Sequence, residues 1–216
     1  MVRGMKLGTA VPIGIAMALA GWTVCGALAS RAERVRYEVL KKSGRYEIRR
    51  YPPRLLARAS VKGAADRAIG EGFRILARYI SGANRMRGPM EAGPAAGPAR
   101  EPPAERIAMT APVSVEETPD EIYTVAFTMP PDYTRESLPE PTDERVRIAA
   151  EPARTLAVLR FGWPRTPARI KAREAELLAC LAQDGIETVG RPRYAGYNPP
   201  WTPPWLVRNE VMVELR

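Results

Sequence analysis

The chain has 216 residues, of which 45% are hydrophobic and 26% charged, so one packed domain with an appendage is expected rather than a disordered polymer. It contains no histidine, which removes the usual general base at neutral pH and the commonest zinc ligand. Two cysteines, Cys25 and Cys180, exclude a disulfide framework and a cysteine-based metal site. The net charge of +9 suits acidic ligands or anionic lipid, but the basic residues are scattered and favour a solvated basic surface over a nucleic-acid interface.

The N-terminal residues are typical of a targeting segment. Arg3 and Lys6 precede an apolar run over residues 11–29, and Ala27-Leu28-Ala29 has the small-x-small form of a signal-peptidase site. The run is also nearly long enough for a membrane-spanning helix. Basic residues follow it closely, which favours keeping that side in the cytoplasm. We expect residues 1–30 to be a signal peptide or N-terminal membrane anchor of an exported or membrane-anchored protein, with the orientation open.

Three strands, a helix and a long loop are predicted after this segment. Residues 37–42, 45–51 and 55–61 alternate apolar and polar side chains between turn residues, as half-buried strands do. Apolar residues at helical spacing predict a helix over residues 64–81. Residues 85–106 are rich in Pro, Gly and Ala and have no apolar period, which predicts a flexible loop rather than a linker between domains.

The second half of the chain repeats this pattern. Strands are predicted over residues 107–115, 121–129, 145–150, 155–161, 186–189 and 209–215, and a helix over residues 167–183. Residues 55–82 and 155–185 both run strand, Gly, helix, Gly over similar lengths. The pattern predicts two pseudo-repeats in one antiparallel α+β domain with its helices on one side, although two amphipathic helices of ordinary length could also match by coincidence.

The sequence offers more for binding than for catalysis. It lacks a histidine base, a Gly-x-Ser-x-Gly motif, a phosphate-binding loop and HExxH, so we predict that it is not an enzyme. An apolar surface with cations at its rim would suit a flat aromatic ligand that carries carboxylates. Its candidates are Phe73, Leu76, Ala77, Ile80, Arg74 and Arg78 in the first helix and Tyr197, Trp201 and Trp205 in a proline-rich loop. The alternatives are core packing for the helix residues and loop anchoring for the tryptophans.

Five sequence blocks occur in the order expected of the SOUL haem-binding protein family. They are GFRILARYISGAN (72–84), IAMTAPV (107–113), FTMP (127–130), LPEPTDERVRI (138–148) and AGYNPPWTPPWLVRNEV (195–211). The resemblance covers residues 37–216. It implies a distorted antiparallel β-barrel built from two pseudo-repeats with two helices, similar to gyrase-inhibitor-like ligand-sensing domains.

The resemblance also implies non-enzymatic binding of haem or related tetrapyrroles in an apolar groove between the first helix and the Pro/Trp loop. The family's haem-binding positions fall on Phe73, Arg74, Ala77, Arg78, Tyr197, Pro200, Trp201 and Arg208. Because the chain has no histidine, an axial iron ligand would be Tyr, Met or Cys, or be absent. Haem would then be held non-covalently and weakly by a carrier, buffer or sensor. We expect a monomer that touches the membrane only through an uncleaved N-terminal segment and binds no nucleic acid.

Two other functions fit the same residues. The groove could bind other amphipathic small molecules, since a fold hosts more than one ligand class. The Pro/Trp loop could instead dock a protein partner. A hydrolase or dechelatase ranks last, because carboxylates are the candidate bases that remain.

Overall fold

The computed structural model of the chain describes residues 33–86, 104–199 and 201–216. The predicted targeting segment, most of the predicted 85–106 loop and Pro200 lie outside these ranges. No helix within the described ranges is long and apolar enough to cross a bilayer.

Thirteen strands and two α-helices make up the described part of the chain. In chain order they are β1 (Glu33–Arg34), β2 (Glu38–Ser43), β3 (Tyr46–Tyr51), β4 (Arg54–Lys62), α1 (Ala65–Ile80), β5 (Asn84–Arg85), β6 (Thr110–Ala111), β7 (Val113–Glu117), β8 (Ile122–Thr128), β9 (Glu140–Pro141), β10 (Arg147–Glu151), β11 (Arg154–Phe161), α2 (Pro167–Gln183), β12 (Thr188–Gly196) and β13 (Asn209–Leu215). A 3-10 turn at Pro204–Leu206 precedes the last strand.

Nine of these strands form one antiparallel sheet, in the order β10-β4-β8-β7-β12-β13-β11-β3-β2. The α+β prediction with two helices is confirmed. The prediction of a β-barrel is wrong, because the outermost strands β10 and β2 pair only with β4 and β3 and not with each other. Closure depends on pairing between strands far apart in sequence, and the open sheet leaves these two edges apart.

The strand order is the same on either side of the central β7·β12 pair. On one side β8, β4 and β10 follow β7, and on the other β13, β11 and β3 follow β12. Each helix connects equivalent strands, since α1 follows β4 and α2 follows β11. This order agrees with the two predicted pseudo-repeats. The first strand of the first repeat, β3, pairs with β11 of the second repeat. The first strand of the second repeat, β10, pairs with β4 of the first repeat.

Both helices pack on one face of the sheet. Ala68, Ile75 and Leu76 of α1 are buried against β4 and β8. Gly72 makes the closest approach, since a Cβ there would lie 2.7 Å from Cγ2 of Val125. The absence of a side chain at residue 72 therefore sets how closely α1 lies on the sheet.

Helix α2 is defined at its start by local chemistry. Thr166 Oγ1 accepts a hydrogen bond from the Arg169 N–H at 3.2 Å, and Pro167 occupies the first turn, where its missing N–H costs nothing. Leu177 and Leu181 are fully buried on the side that faces the sheet. The observed bounds are those predicted from the sequence.

The sheet curls towards the face that the helices leave uncovered. Arg193 on β12 lies 3.0 Å from Glu151 on β10, although three strands separate β12 from β10 in the sheet. A second apolar cluster that includes Leu156, Val158 and Met212 fills this concave face. The sheet therefore has one face that is covered by the helices and an opposite, concave face that carries the second apolar cluster.

Two strands differ from their predictions. Residues 107–115 were predicted as one strand, but Pro112 separates β6 from β7 because it has no N–H for the ladder. The predicted strand over 186–189 is instead β12 (Thr188–Gly196), which contains Pro192 and an irregular register between Val189 and Arg193. Its first half breaks the alternation that identifies a strand in sequence.

Candidate functional site

The outer face of α1 carries a shallow, open basic depression, which we refer to as the cavity on α1. A depression of about 620 Å³ is lined by Glu71, Arg74, Ala77, Arg78 and Ser81. Positions 74 and 78 lie one helical turn apart, so two guanidinium groups flank the small Ala77. The predicted helix residues Arg74, Ala77 and Arg78 thus share one cavity.

Phe73 lies at the surface of α1. Its ring is 37% exposed and stands edge-on to the buried Phe127 ring, with 5.3 Å between the centroids. Phe127 pairs with Val113, and Val113 pairs with Gly196 at the end of β12. Two strand spacings amount to about 10 Å, so Phe73 and the start of the Pro/Trp loop lie at the same end of the sheet.

Two predicted loop residues form the base of the Pro/Trp loop. The Tyr197 N–H donates to the Arg208 carbonyl at 3.3 Å, and the Arg208 N–H donates to Asn198 Oδ1 at 2.6 Å. Tyr197 is only 7% exposed and packs in the apolar cluster on the concave face of the sheet, opposite the helices. Tyr197 and Arg208 are therefore separated from α1 by the sheet. Their contact with a ligand stays a prediction.

Tyr197 and Arg208 both contact the buried carboxylate of Glu210. Glu210 is fully buried and accepts hydrogen bonds from Arg49 Nη1 at 3.0 Å, Arg208 Nη2 at 2.7 Å and the Tyr197 hydroxyl at 2.5 Å. Burial raises the pKa of the Tyr197 hydroxyl, and the charge of Glu210 raises it further. Tyr37 covers Arg49, whose guanidinium carbon lies 4.3 Å from the ring centroid. These contacts connect the base of the Pro/Trp loop to Tyr37, which lies just before β2.

The tryptophans of the loop are exposed. Trp201 is 64% and Trp205 52% exposed. Trp163, at the end of β11, is 61% exposed and has a φ of +69°, a left-handed conformation that large side chains rarely adopt. Its carbonyl accepts a hydrogen bond from Asn209 Nδ2 at 2.8 Å, next to the loop. We refer to Trp163, Trp201 and Trp205 as the tryptophan surface.

Sequence reasoning missed Trp163 as a member of this surface. The signal was present, because the residue follows a strand that ends in Gly162 and precedes Pro164, which leaves it in a connection rather than a core element. Exposed aromatic side chains grouped at one end of a domain are typical of a binding surface.

A second cavity lies between the N-terminal halves of the helices. This interhelical cavity has a volume of about 430 Å³, and its lining includes Ile69, Ile170, Tyr123, Tyr194, Glu117 and Glu174. Burial raises the pKa of Glu174, and the nearby charge of Glu117 raises it further. Burial also raises the pKa of Tyr194 to about 12, so its hydroxyl is protonated at neutral pH. Sequence reasoning missed the cavity because its walls come from separate segments of both repeats.

Two of the candidate iron ligands, Tyr79 and Cys180, are buried. The Tyr79 hydroxyl donates to the Pro139 carbonyl at 2.8 Å, and Cys180 is a buried residue of α2. Met86 and Met109 are exposed, at 45% and 41%. The five described residues that line the cavity on α1 include no Tyr, Met or Cys. Within the described ranges, no cluster of three or more Cys, Asp or Glu side chains could hold a metal ion.

Several solved structures share the fold at low sequence identity. The EcmrR C-terminal domain has a TM-score of 0.56 at 9% identity, over 83% of this chain and 98% of that one. A Listeria innocua protein described as a hydrolase has a TM-score of 0.51 at 12% identity, over 82% and 94% of the two chains. An uncharacterized conserved protein from the same organism has a TM-score of 0.52 at 12% identity, over 80% and 92%. At these identities the likeness concerns the fold alone.

Sequence comparison identifies the family. A search of curated proteins gives no match. The family model described as SOUL heme-binding protein matches residues 32–214, which is most of the chain and includes both repeats. The chain therefore belongs to the SOUL haem-binding protein family.

Proposed function

We propose that the protein binds a tetrapyrrole non-covalently on the outer face of α1. Arg74 and Arg78 face the carboxylates of the ligand, and Phe73 and Trp201 cover its ring. The observation that carries the proposal is the pair of guanidinium groups that flank Ala77 in one cavity, beside an exposed phenylalanine. The shared position of Phe73 and the start of the Pro/Trp loop at one end of the sheet supports a ligand that spans both.

The expected affinity is modest. Removing about 300 Å² of apolar surface from water contributes roughly 7 kcal/mol at about 25 cal/mol per Å². Association costs about 4 kcal/mol or more, and each of two carboxylate–Arg contacts contributes about 1–3 kcal/mol, depending on how far it is desolvated. The balance of about 5–9 kcal/mol corresponds to a dissociation constant between about 0.2 mM and about 0.3 μM. Such a protein is a carrier, buffer or sensor rather than a permanent haem protein.

The ring, and not the iron, is the feature that the site recognises. The hydroxyls of Tyr79 and Tyr197 already donate to protein acceptors, and Cys180 is buried on the other helix. The proposal includes no catalytic step. Residues 1–30 would hold the domain at or beyond the cytoplasmic membrane, which rests on their sequence pattern.

Titration with hemin and with metal-free protoporphyrin tests the proposal. We expect saturable 1:1 binding of both at micromolar levels, followed by Soret absorbance and tryptophan quenching. Phe73→Ala and Trp201→Ala should each weaken binding about tenfold, since each removes an aromatic face from the ring. Leu178→Ala, an exposed apolar residue on α2, is the matched control. Unchanged affinity in Trp201→Ala, within twofold, would remove the loop from the site, and no saturable binding of either porphyrin would end the proposal.

A second candidate function concerns the interhelical cavity. Its apolar residues Ile69 and Ile170 and the rings of Tyr123 and Tyr194 favour an amphipathic aromatic ligand there. The Glu117 and Glu174 carboxylates would contact a cationic group on that ligand, although Arg165, Lys171 and Arg191 also line the cavity. An aromatic cation such as a rhodamine should then bind with an affinity that falls in Glu174→Gln, while protoporphyrin affinity stays the same. Equal rhodamine binding by wild type and Glu174→Gln would exclude this candidate.

A further inference from the structure

The concave face of the sheet contains a buried carboxylate surrounded by arginines. The Glu151 side chain is 1% exposed. Arg54 donates to it through Nε at 2.7 Å, and Arg193 through Nη1 at 3.0 Å. Guanidinium nitrogens of Arg58 and Arg154 lie 3.7 Å away. We refer to these four arginines as the arginine cluster.

The cluster carries more positive charge than its carboxylates neutralise. Beside Glu151, the cluster contacts Glu214, whose Oε2 lies 2.5 Å from Arg154 Nη1. Four guanidinium groups against two carboxylates leave a net charge of +2. Burial alone would raise the pKa of Glu151, but Arg193 and Arg54 outweigh it and lower this pKa. Glu151 therefore stays ionised, and the excess of two positive charges remains at neutral pH.

Two buried donors of the cluster lack an acceptor. Arg193 Nη2 and Arg154 Nε are buried, and neither makes a hydrogen bond within residues 33–86, 104–199 and 201–216. A buried guanidinium N–H without an acceptor is costly, and its cost is largest where the local charge is already positive. An oxyanion supplies both the missing acceptors and the missing negative charge.

The pseudo-symmetry of the fold explains why the arginines meet. The turns at 51–54 and 151–154 are equivalent connections in the two repeats, from β3 to β4 and from β10 to β11, and the strands that each one joins do not pair with each other. Glu151 pairs with Arg54 on β4, and Arg154 pairs with Tyr51 on β3, so the two turns lie side by side. Arg54 and Arg154 occupy equivalent positions in the two repeats, each at the first residue of the strand after the turn. The sheet ladder thus fixes the position of both backbones.

The cluster is open to small solutes. A cavity of about 550 Å³ borders Arg54 and Glu151, and its other charged lining residues are Arg34, Arg36, Arg135, Glu33 and Asp132. The Arg58 side chain is 36% and that of Arg154 30% exposed. A small oxyanion can therefore approach the cluster from solvent at the exposed parts of Arg58 and Arg154.

From these contacts we infer that the arginine cluster is a binding site for a dianionic oxyanion, of the class of inorganic phosphate and phosphate monoesters. Two excess positive charges match a dianion, and forked guanidinium donors match tetrahedral oxygens. The site lies on the sheet face opposite the helices and does not depend on tetrapyrrole binding. A variant that loses tetrapyrrole binding should still bind phosphate, and a variant that loses phosphate binding should still bind the tetrapyrrole.

Binding of inorganic phosphate to the full-length chain tests the inference. Calorimetry and 31P NMR line broadening would be recorded at constant ionic strength against chloride. We expect saturable phosphate binding, with acetate at least tenfold weaker because it carries one charge. Arg193→Gln and Arg58→Gln should each weaken phosphate binding about tenfold, the loss expected for one charged hydrogen bond. Arg160→Gln, an exposed arginine on β11, is the matched control.

Each alternative result overturns the inference or part of it. The site is absent if phosphate has no more effect than chloride, and its unpaired donors then bind only water. Equal affinities for acetate and phosphate would refute the dianion assignment. Arg193 also pairs with Glu151, so Arg193→Gln could unfold the domain. In that case Arg58→Gln decides, because its partly exposed side chain is 3.7 Å from Glu151, and unchanged phosphate affinity in that variant refutes the site.

Discussion

Two glycines in α1 should respond to alanine with opposite signs. A Cβ at residue 72 would lie 2.7 Å from Val125 Cγ2 and 3.2 Å from Val125 Cβ, whereas a Cβ at residue 70 would meet nothing within 4 Å. Val125 is fully buried and β-branched, so it has little freedom to move. Alanine in place of glycine gains about 1 kcal/mol in a helix interior, and overpacking costs about 1–3 kcal/mol.

Gly70→Ala should therefore stabilise the domain by up to about 1 kcal/mol, and Gly72→Ala should destabilise it by up to about 2 kcal/mol. Urea denaturation measures both free energies of unfolding on otherwise identical chains. The predicted order is Gly70→Ala, wild type, Gly72→Ala. The reasoning is refuted if Gly72→Ala is as stable as Gly70→Ala, because α1 would then not approach the sheet as closely as described.

Two further substitutions test the half-buried Glu174 and the buried Glu210. Glu174 has a raised pKa in the folded protein, so folding binds a proton at this carboxyl and stability is lost as pH rises above the unfolded value of about 4.3. Glu174→Gln should raise the melting temperature at pH 7 and change it little at pH 3.5, and a shift that is the same at both pH values would contradict this. Glu210→Gln removes the buried carboxylate that Arg49 and Arg208 share, although Arg49 keeps its ion pair with Glu47, and should cost about 3 kcal/mol in urea denaturation. The exposed Glu187→Gln, which removes a surface ion pair, should cost less than about 1 kcal/mol, and equal losses in the two variants would contradict the role of Glu210.

Local signals allowed much of the fold to be predicted from the sequence. Helix α2 has a Thr166 cap, Pro167 in its first turn and leucines at helical spacing, so its bounds follow from residues close together in the chain. Strand β12 could not be bounded in this way, because Gly190, with a φ of +72°, and Pro192 interrupt its alternation. The open sheet differs from the predicted barrel because closure depends on the pairing of distant strands rather than on local pattern.

The candidate site was predictable only in part. Arg74, Ala77 and Arg78 share a helix face through spacing alone, and the structure places them in one cavity. The role of Tyr197 depends on the strand register that puts Glu210 on the same sheet face, which no local pattern fixes. Arg54 and Glu151, 97 positions apart in sequence, meet only because the first strand of each repeat lies beside the other repeat.

The most direct test of the proposed function is porphyrin affinity in the double variant Arg74→Gln/Arg78→Gln. Arg67→Gln is the control, since Arg67 lies on the same flank of α1 but does not line the cavity. We expect the double variant to bind both hemin and metal-free protoporphyrin at least about thirtyfold more weakly than wild type, because two carboxylate contacts of about 1 kcal/mol or more each are lost, while Arg67→Gln binds as wild type does. Affinities for both porphyrins within twofold of wild type in the double variant would contradict the assignment of the ligand to the outer face of α1.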